Sequence, residues 1–145
     1  MKEKSLRGEI LAYAKEKYHS EAEYLWESSP DAAVLRHGDN RKWYALIMKV
    51  ERARLGLSGE GETDILNVKC GSDMALLLRG MDGFLPAYHM NKTKWISVLL
   101  DKTVGKDMVL DLIDTSFVLT APKKSDKKSR ESTKKIRKEV KGQKQ

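Results

Sequence analysis

The chain has 145 residues, 40% of them hydrophobic and 34% charged, with a formal net charge of +7. That length supports one hydrophobic core without disulfide or metal staples, and the single cysteine, Cys70, excludes an intramolecular disulfide and points to a reducing compartment. No stretch approaches the ~18 apolar residues of a membrane span, and the first residues lack an apolar signal core, so a soluble, cytoplasmic, monomeric protein without a membrane partner is expected.

The charge is unevenly placed. From Pro122 to Gln145 eleven Lys or Arg side chains stand against three acids, a net of +8, which leaves 17 basic and 18 acidic residues before them, a net of −1. The expected organisation is one folded domain over residues 1–121 and a lysine-rich, disordered tail over 122–145. Polyanion affinity in the domain must then come from a local patch, whereas tail residues such as Lys123, Lys124, Lys127 and Lys128 attract phosphates without selectivity.

Leu6, Ile10, Tyr13, Ala14 and Lys17 recur at three- and four-residue steps, which predicts an amphipathic helix from Ser5, its N-cap, to about Tyr18. Three extended runs follow, Ala32 to Arg36, Lys42 to Arg54 and Asp64 to Cys70, broken by Gly38-Asp39-Asn40 and by a glycine-rich stretch from Leu57 to Glu62. Two antiparallel hairpins connect them most simply. In the third run Leu66, Val68 and Cys70 alternate with Ile65, Asn67 and Lys69, the pattern of a sheet with one buried and one wetter face. Ser72 is read as the cap of a short apolar helix over Asp73 to Arg79 that Gly80 ends in a left-handed conformation. Trp95 to Leu100 reads as a further strand, Asp101 to Gly105 as a turn, and Val109, Leu112, Ile113, Ser116 and Phe117 as the inner face of a last helix. The fold class is α+β, an antiparallel sheet packed against N- and C-terminal helices.

Between these elements lies the densest mixture of aromatic, cationic and hydrogen-bonding side chains, Pro86-Ala87-Tyr88-His89-Met90-Asn91-Lys92-Thr93-Lys94-Trp95. Proline restricts both itself and Leu85, so the run is expected to leave a turn in a defined direction and enter a strand near Trp95. As a contact patch, Lys92 and Lys94 would meet phosphates, Asn91 a base edge or sugar, and Tyr88 or Trp95 an unpaired base, with His89 beside them. As a structural loop, Asn91 and His89 would satisfy backbone groups around the turn, while Met90 and Trp95 pack inward.

The Pro-x-Tyr-His-Met-Asn-Lys box followed by Trp95 resembles the signature of the MmcQ/YjbR family, and Lys42-Trp43-Tyr44-Ala45-Leu46-Ile47, Asn67-Val68-Lys69-Cys70 and Leu112 to Phe117 fall in the family's order. The likeness covers residues 1 to 121. It implies a CyaY-like, frataxin-like sandwich described as a double-wing DNA-binding protein. On that implication the expected function is weakly sequence-specific, non-enzymatic DNA binding, with Arg41 and Lys42 at a hairpin turn joining Lys92 and Lys94 on one surface. The alternative is a protein-interaction domain whose tail binds RNA or acidic proteins.

Other chemistries lack the residue patterns they need. The glycine stretch leads towards a strand and carries Glu60 and Glu62, so it reads as a hairpin loop and not as a phosphate cradle. His19, His37 and His89 are scattered, Cys70 has no thiol partner, and the acids of the first helix are interspersed with lysines, so no metal or other cofactor is expected. Catalysis would have to pair His89 with Ser97 or Cys70, for which the sequence provides no geometry.

Overall fold

The computed structural model describes residues 5–122, and the tail lysines Lys123, Lys124, Lys127 and Lys128 lie outside them. Helix α1, Leu6–Tyr18, begins where the Ser5 hydroxyl accepts the Gly8 N–H at 3.1 Å and ends where His19 turns left-handed at φ 56°. Leu6, Ile10 and Ala14 form its buried stripe. Strands β1, Ala33–Arg36, and β2, Trp43–Glu51, pair antiparallel, as do β2 and β3, Glu62–Lys69. Both expected hairpins are therefore present. The second run is shorter as a strand than the sequence suggests, because Arg52–Leu55 coils into a 3-10 turn that Gly56 closes at φ 74°.

Helix α2, Ser72–Leu78, departs from expectation at both ends. Gly71, and not Ser72, holds the cap position, because the backbone there needs φ 90°, which a side chain strains. Gly80 is not the left-handed terminator. Arg79 stays right-handed, Met81 N–H donates to Leu78 O at 2.9 Å, and the positive φ falls instead on Gly83. A Cβ at Gly83 would stand 2.5 Å from Val104 Cγ2. Gly83→Ala therefore combines a left-handed penalty with overpacking, and we expect a loss of about 2–4 kcal/mol in urea unfolding. A loss below about 1 kcal/mol would show that the 80–83 turn rearranges freely.

Gly83 leads into a strand the sequence reading did not contain, β4, Phe84–Pro86. It pairs with β5, Trp95–Leu99, through Phe84↔Val98 and Pro86↔Ile96. β4 is an outer strand, where a missing N–H breaks no ladder on the solvent side, so proline is tolerated. Pro86 thus closes a strand, and the turn comes after it. The sheet is fully antiparallel in the order β1-β2-β3-β5-β4. Helix α3, Lys106–Leu119, packs on β2 and β3.

The face towards the helices holds the main core, built on Ile10, Leu35, Tyr44, Ile47, Leu66, Val68, Ile96 and Ile113. A bulge between β1 and β2 inserts Tyr44 into it, and the Ser116 hydroxyl repairs the interrupted ladder by donating to Tyr44 O at 2.6 Å and accepting Lys69 N–H at 2.9 Å. The opposite face is not the wetter one that alternation predicts. Ile65 and Asn67 are as inaccessible as their neighbours, because Tyr88 and Met90 from the 87–94 loop, with Leu55 and Leu57, pack over it.

One buried base links the sheet to α3. His37 Nε2 lies 2.9 Å from Thr120 Oγ1, and its ring stacks obliquely on Phe117 at 4.1 Å. Burial lowers its pKa from the ordinary imidazole value, against an opposing pull from the Phe117 carbonyl. The folded state therefore favours neutral His37, and its contribution is complete above the unfolded pKa of about 6.5 and fades as pH falls below it. Urea midpoints measured from pH 8 to pH 5.5 should decline through that window, and His37→Gln should flatten the decline; an equal slope in both proteins would remove His37 as the cause.

Candidate nucleic-acid interface

The 87–94 loop is held from beneath by two polar residues with no solvent exposure, Asn67 on β3 and Ser97 on β5, which face each other in register. The Ser97 hydroxyl donates to Asn67 Oδ1 and accepts the Tyr88 N–H at 2.9 Å. Asn67 Nδ2 donates to Tyr88 O at 3.2 Å. Both backbone groups of Tyr88 are thereby satisfied by buried side chains, which anchors the loop over the sheet. The Tyr88 ring then packs on the Val50, Ile65 and Leu99 cluster, and Met90 on Ala32, Val34 and Leu46.

Beyond that anchor the loop turns outward. His89 adopts φ 58° and is exposed, with its ring 4.1 Å from that of Tyr88. Asn91 Oδ1 accepts the N–H groups of Thr93 and Lys94 at 2.9 and 3.2 Å, and Asn91 O accepts Trp95 N–H at 3.0 Å. This Asx turn spends the Asn91 carbonyl oxygen on the backbone, so a base or sugar could be offered only its amide group. Lys94 O accepts from both Cys70 and Gly71, which sews the end of the loop to β3. Met90 packs inward and Trp95 is half-buried, as the structural-loop reading expects of large side chains here.

Arg41 and Lys42 occupy the β1–β2 turn. Asn40 pins that turn, its Nδ2 donating to Thr120 O and its Oδ1 accepting Lys42 N–H, both at 2.9 Å. The ladders bring this turn and the signature turn to the same end of the sheet, since β2 starts, β3 finishes and β5 starts there. Two strand spacings, ~10 Å, separate the starts of β2 and β5. Among the described residues the ammonium groups of Lys42, Lys92 and Lys94 make no ion pair, whereas Arg41 lies 3.3 Å from Glu23, which also holds Arg36 at 2.8 Å.

Below His89 a cleft of ≈ 240 Å³ runs between Ser29, Lys49, Arg54, Glu51 and Glu62, a balanced set of charges. Neither nucleophile weighed from the sequence is prepared for catalysis. Ser97 is committed to Asn67 and Tyr88, and burial pushes the Cys70 thiol up to about 11, so it stays protonated. Among the described residues no group of three or more His, Cys, Asp or Glu side chains is placed to hold a metal ion, and no helix is long and apolar enough to cross a membrane.

The model of the YjbR family matches residues 15–119, which include both turns and the whole signature loop. The chain belongs to the YjbR family. Among YjbR relatives, the uncharacterized protein YyaQ of Bacillus subtilis (strain 168) is 46% identical over 114 residues, covering 79% of this chain and 97% of YyaQ. A Pseudomonas syringae protein solved by crystallography is 41% identical, with a TM-score of 0.77, covering 79% of this chain and 98% of that one. A Deinococcus radiodurans protein at 22% identity and a TM-score of 0.65 shares the fold. The YjbR match stops short of the lysine-rich segment.

The anchoring role of Asn67 and Ser97 is what the sequence did not reveal: alternation assigned Asn67 to a wet face, and Ser97, a polar residue inside an apolar strand, drew notice only as a candidate nucleophile.

Proposed function

We propose that this chain is a non-enzymatic DNA-binding domain of low sequence specificity, gripping phosphates through the end of the sheet where the two turns meet. The observation that carries this reading is the placement of three lysines without ion pairs among the described residues, Lys42, Lys92 and Lys94, on two braced turns at one sheet end. Lysines on a rigid backbone neutralise phosphates without reading bases, and among the described residues no helix offers clustered Arg, Asn and Gln to a major groove. The near-neutral domain makes local placement decisive, and the lysine-rich segment after Pro122 adds unselective attraction. With this reading go the CyaY-like sandwich and the double wing formed by the two turns, while the disordered tail expected from the sequence lies outside the described residues.

A second reading draws on α2 and the turn after it, where Leu76, Leu77 and Met81 are 71%, 54% and 46% exposed. It makes the chain a protein-interaction domain whose lysine-rich segment binds RNA or acidic partners. Fluorescence anisotropy of the full chain with duplex DNA, across a salt series and beside Lys92→Gln/Lys94→Gln, separates the two. Under the first reading the salt slope falls in the variant. Under the second it does not change, because all counterion release then belongs to the tail.

A further inference from the structure

A second feature of the same sheet end is aromatic. Trp26 sits in the loop after α1 and meets Trp43, the first residue of β2, with ring centroids 5.6 Å apart and planes at 80°. Trp26 is still 38% exposed, and Tyr24 and Leu25 beside it are 54% and 45% exposed. These side chains are not on a loose loop. Glu23 and Val34 exchange two backbone hydrogen bonds of 2.9 Å, the Glu23 carboxylate is gripped by Arg36 and Arg41, and Ser29 and Ala32 N–H groups close successive turns. A rigid, half-exposed tryptophan forgoes burial without the excuse of mobility.

Its neighbours indicate what it meets. Trp43 directly follows Lys42 and packs, like Met90 of the signature loop, on the Ala32, Val34 and Leu46 cluster. The two tryptophans therefore adjoin the lysine-bearing turns on the face that the signature loop covers. We propose that Trp26, supported edge-to-face by Trp43, is a stacking platform for unpaired bases, so that the preferred ligand of this surface is single-stranded nucleic acid. The inference rests on the nucleic-acid reading above and narrows its ligand. Stacking is worth roughly 1–3 kcal/mol per base and tolerates any sequence, whereas bases inside a duplex present no free face. Glu27, exposed next to Trp26, opposes phosphate at the ring itself, so attraction for the backbone comes from Lys42, Lys92 and Lys94. The positive charge of those three lysines, complementary to phosphate, favours nucleic acid over a protein partner for the aromatic surface.

The test uses the full chain with a labelled oligothymidylate and a duplex of equal length across one matched salt series, comparing wild type, Trp26→Ala, Trp26→Phe and Lys92→Gln/Lys94→Gln. Trp26→Ala should weaken single-strand binding by about 5- to 150-fold, the range that stacking energy spans, with an unchanged salt slope and little effect on the duplex. Trp26→Phe should retain most of the affinity, and oligothymidylate should quench tryptophan emission in the wild type. Equal losses on both ligands, or none, would overturn the platform, as would a change in self-association without a change in single-strand affinity. If the lysine pair matters and Trp26 does not, only the stacking proposal falls. If neither alters binding, the nucleic-acid reading falls with it.

Discussion

Replacing Lys92 and Lys94 by glutamine should lower the slope of log affinity against log salt for duplex DNA by about 2. Each phosphate neutralised by a lysine releases ~0.9 counterion, so each such contact contributes close to one unit of slope. The same relation sets the affinity change. Between 1 M salt and 0.1 M salt a slope of 0.9 is worth about eight-fold, so two contacts together approach 60-fold at 0.1 M. Both side chains are exposed and make no ion pair among the described residues, so their removal should leave thermal unfolding where it is. The loss should also be nearly equal on unrelated duplexes, because phosphate contacts carry no base information. An unchanged slope would remove these two lysines from the phosphate contacts and leave the electrostatic binding to Lys42 and to residues beyond 122. A loss confined to one DNA sequence would instead reveal base readout by the loop.

Asn67→Leu should be among the most damaging single changes in the molecule despite conserving volume. Asn67 is fully buried on the central strand and joins β3, β5 and the loop through Ser97 and Tyr88 O. Leucine would leave the Ser97 hydroxyl without its acceptor and Tyr88 O without its donor, each a buried orphan worth roughly 1–3 kcal/mol. A combined loss of about 3 kcal/mol is expected, a large share of the ~5–15 kcal/mol that holds a domain of this size. Urea unfolding measures the total. Amide exchange at Tyr88 and Lys94 tests the mechanism, since the loop should open well before the sheet. A loss of less than about 0.5 kcal/mol, with Tyr88 still protected, would mean that the pair does not anchor the loop. Because Lys92 and Lys94 are positioned by that anchor, DNA affinity should fall in this variant as well, with the lysines intact.

What the chain determined locally is visible in the elements whose signals are local. Ser5 caps α1, the stripe Leu6, Ile10 and Ala14 is buried as its periodicity requires, the runs around Trp43 and Asn67 became paired strands, and Val109, Leu112, Ile113 and Ser116 face inward on α3. The signature loop was also legible as a braced, lysine-bearing turn, because proline, an Asx-forming asparagine and exposed lysines act within a few residues of one another. Tertiary structure alone decided the rest. β4 is three residues long and contains a proline, so only pairing with β5 makes it a strand. The supposed wet face is covered because a loop some twenty residues further along the chain folds over it, which turns Asn67 from a surface residue into the loop's anchor, with Ser97 as its partner. Trp26 meets Trp43 across 17 positions of sequence. Periodicity reports which side chains share a face, and it is blind to what distant segment settles on that face, since that choice is made by packing between parts of the chain that carry no local record of each other.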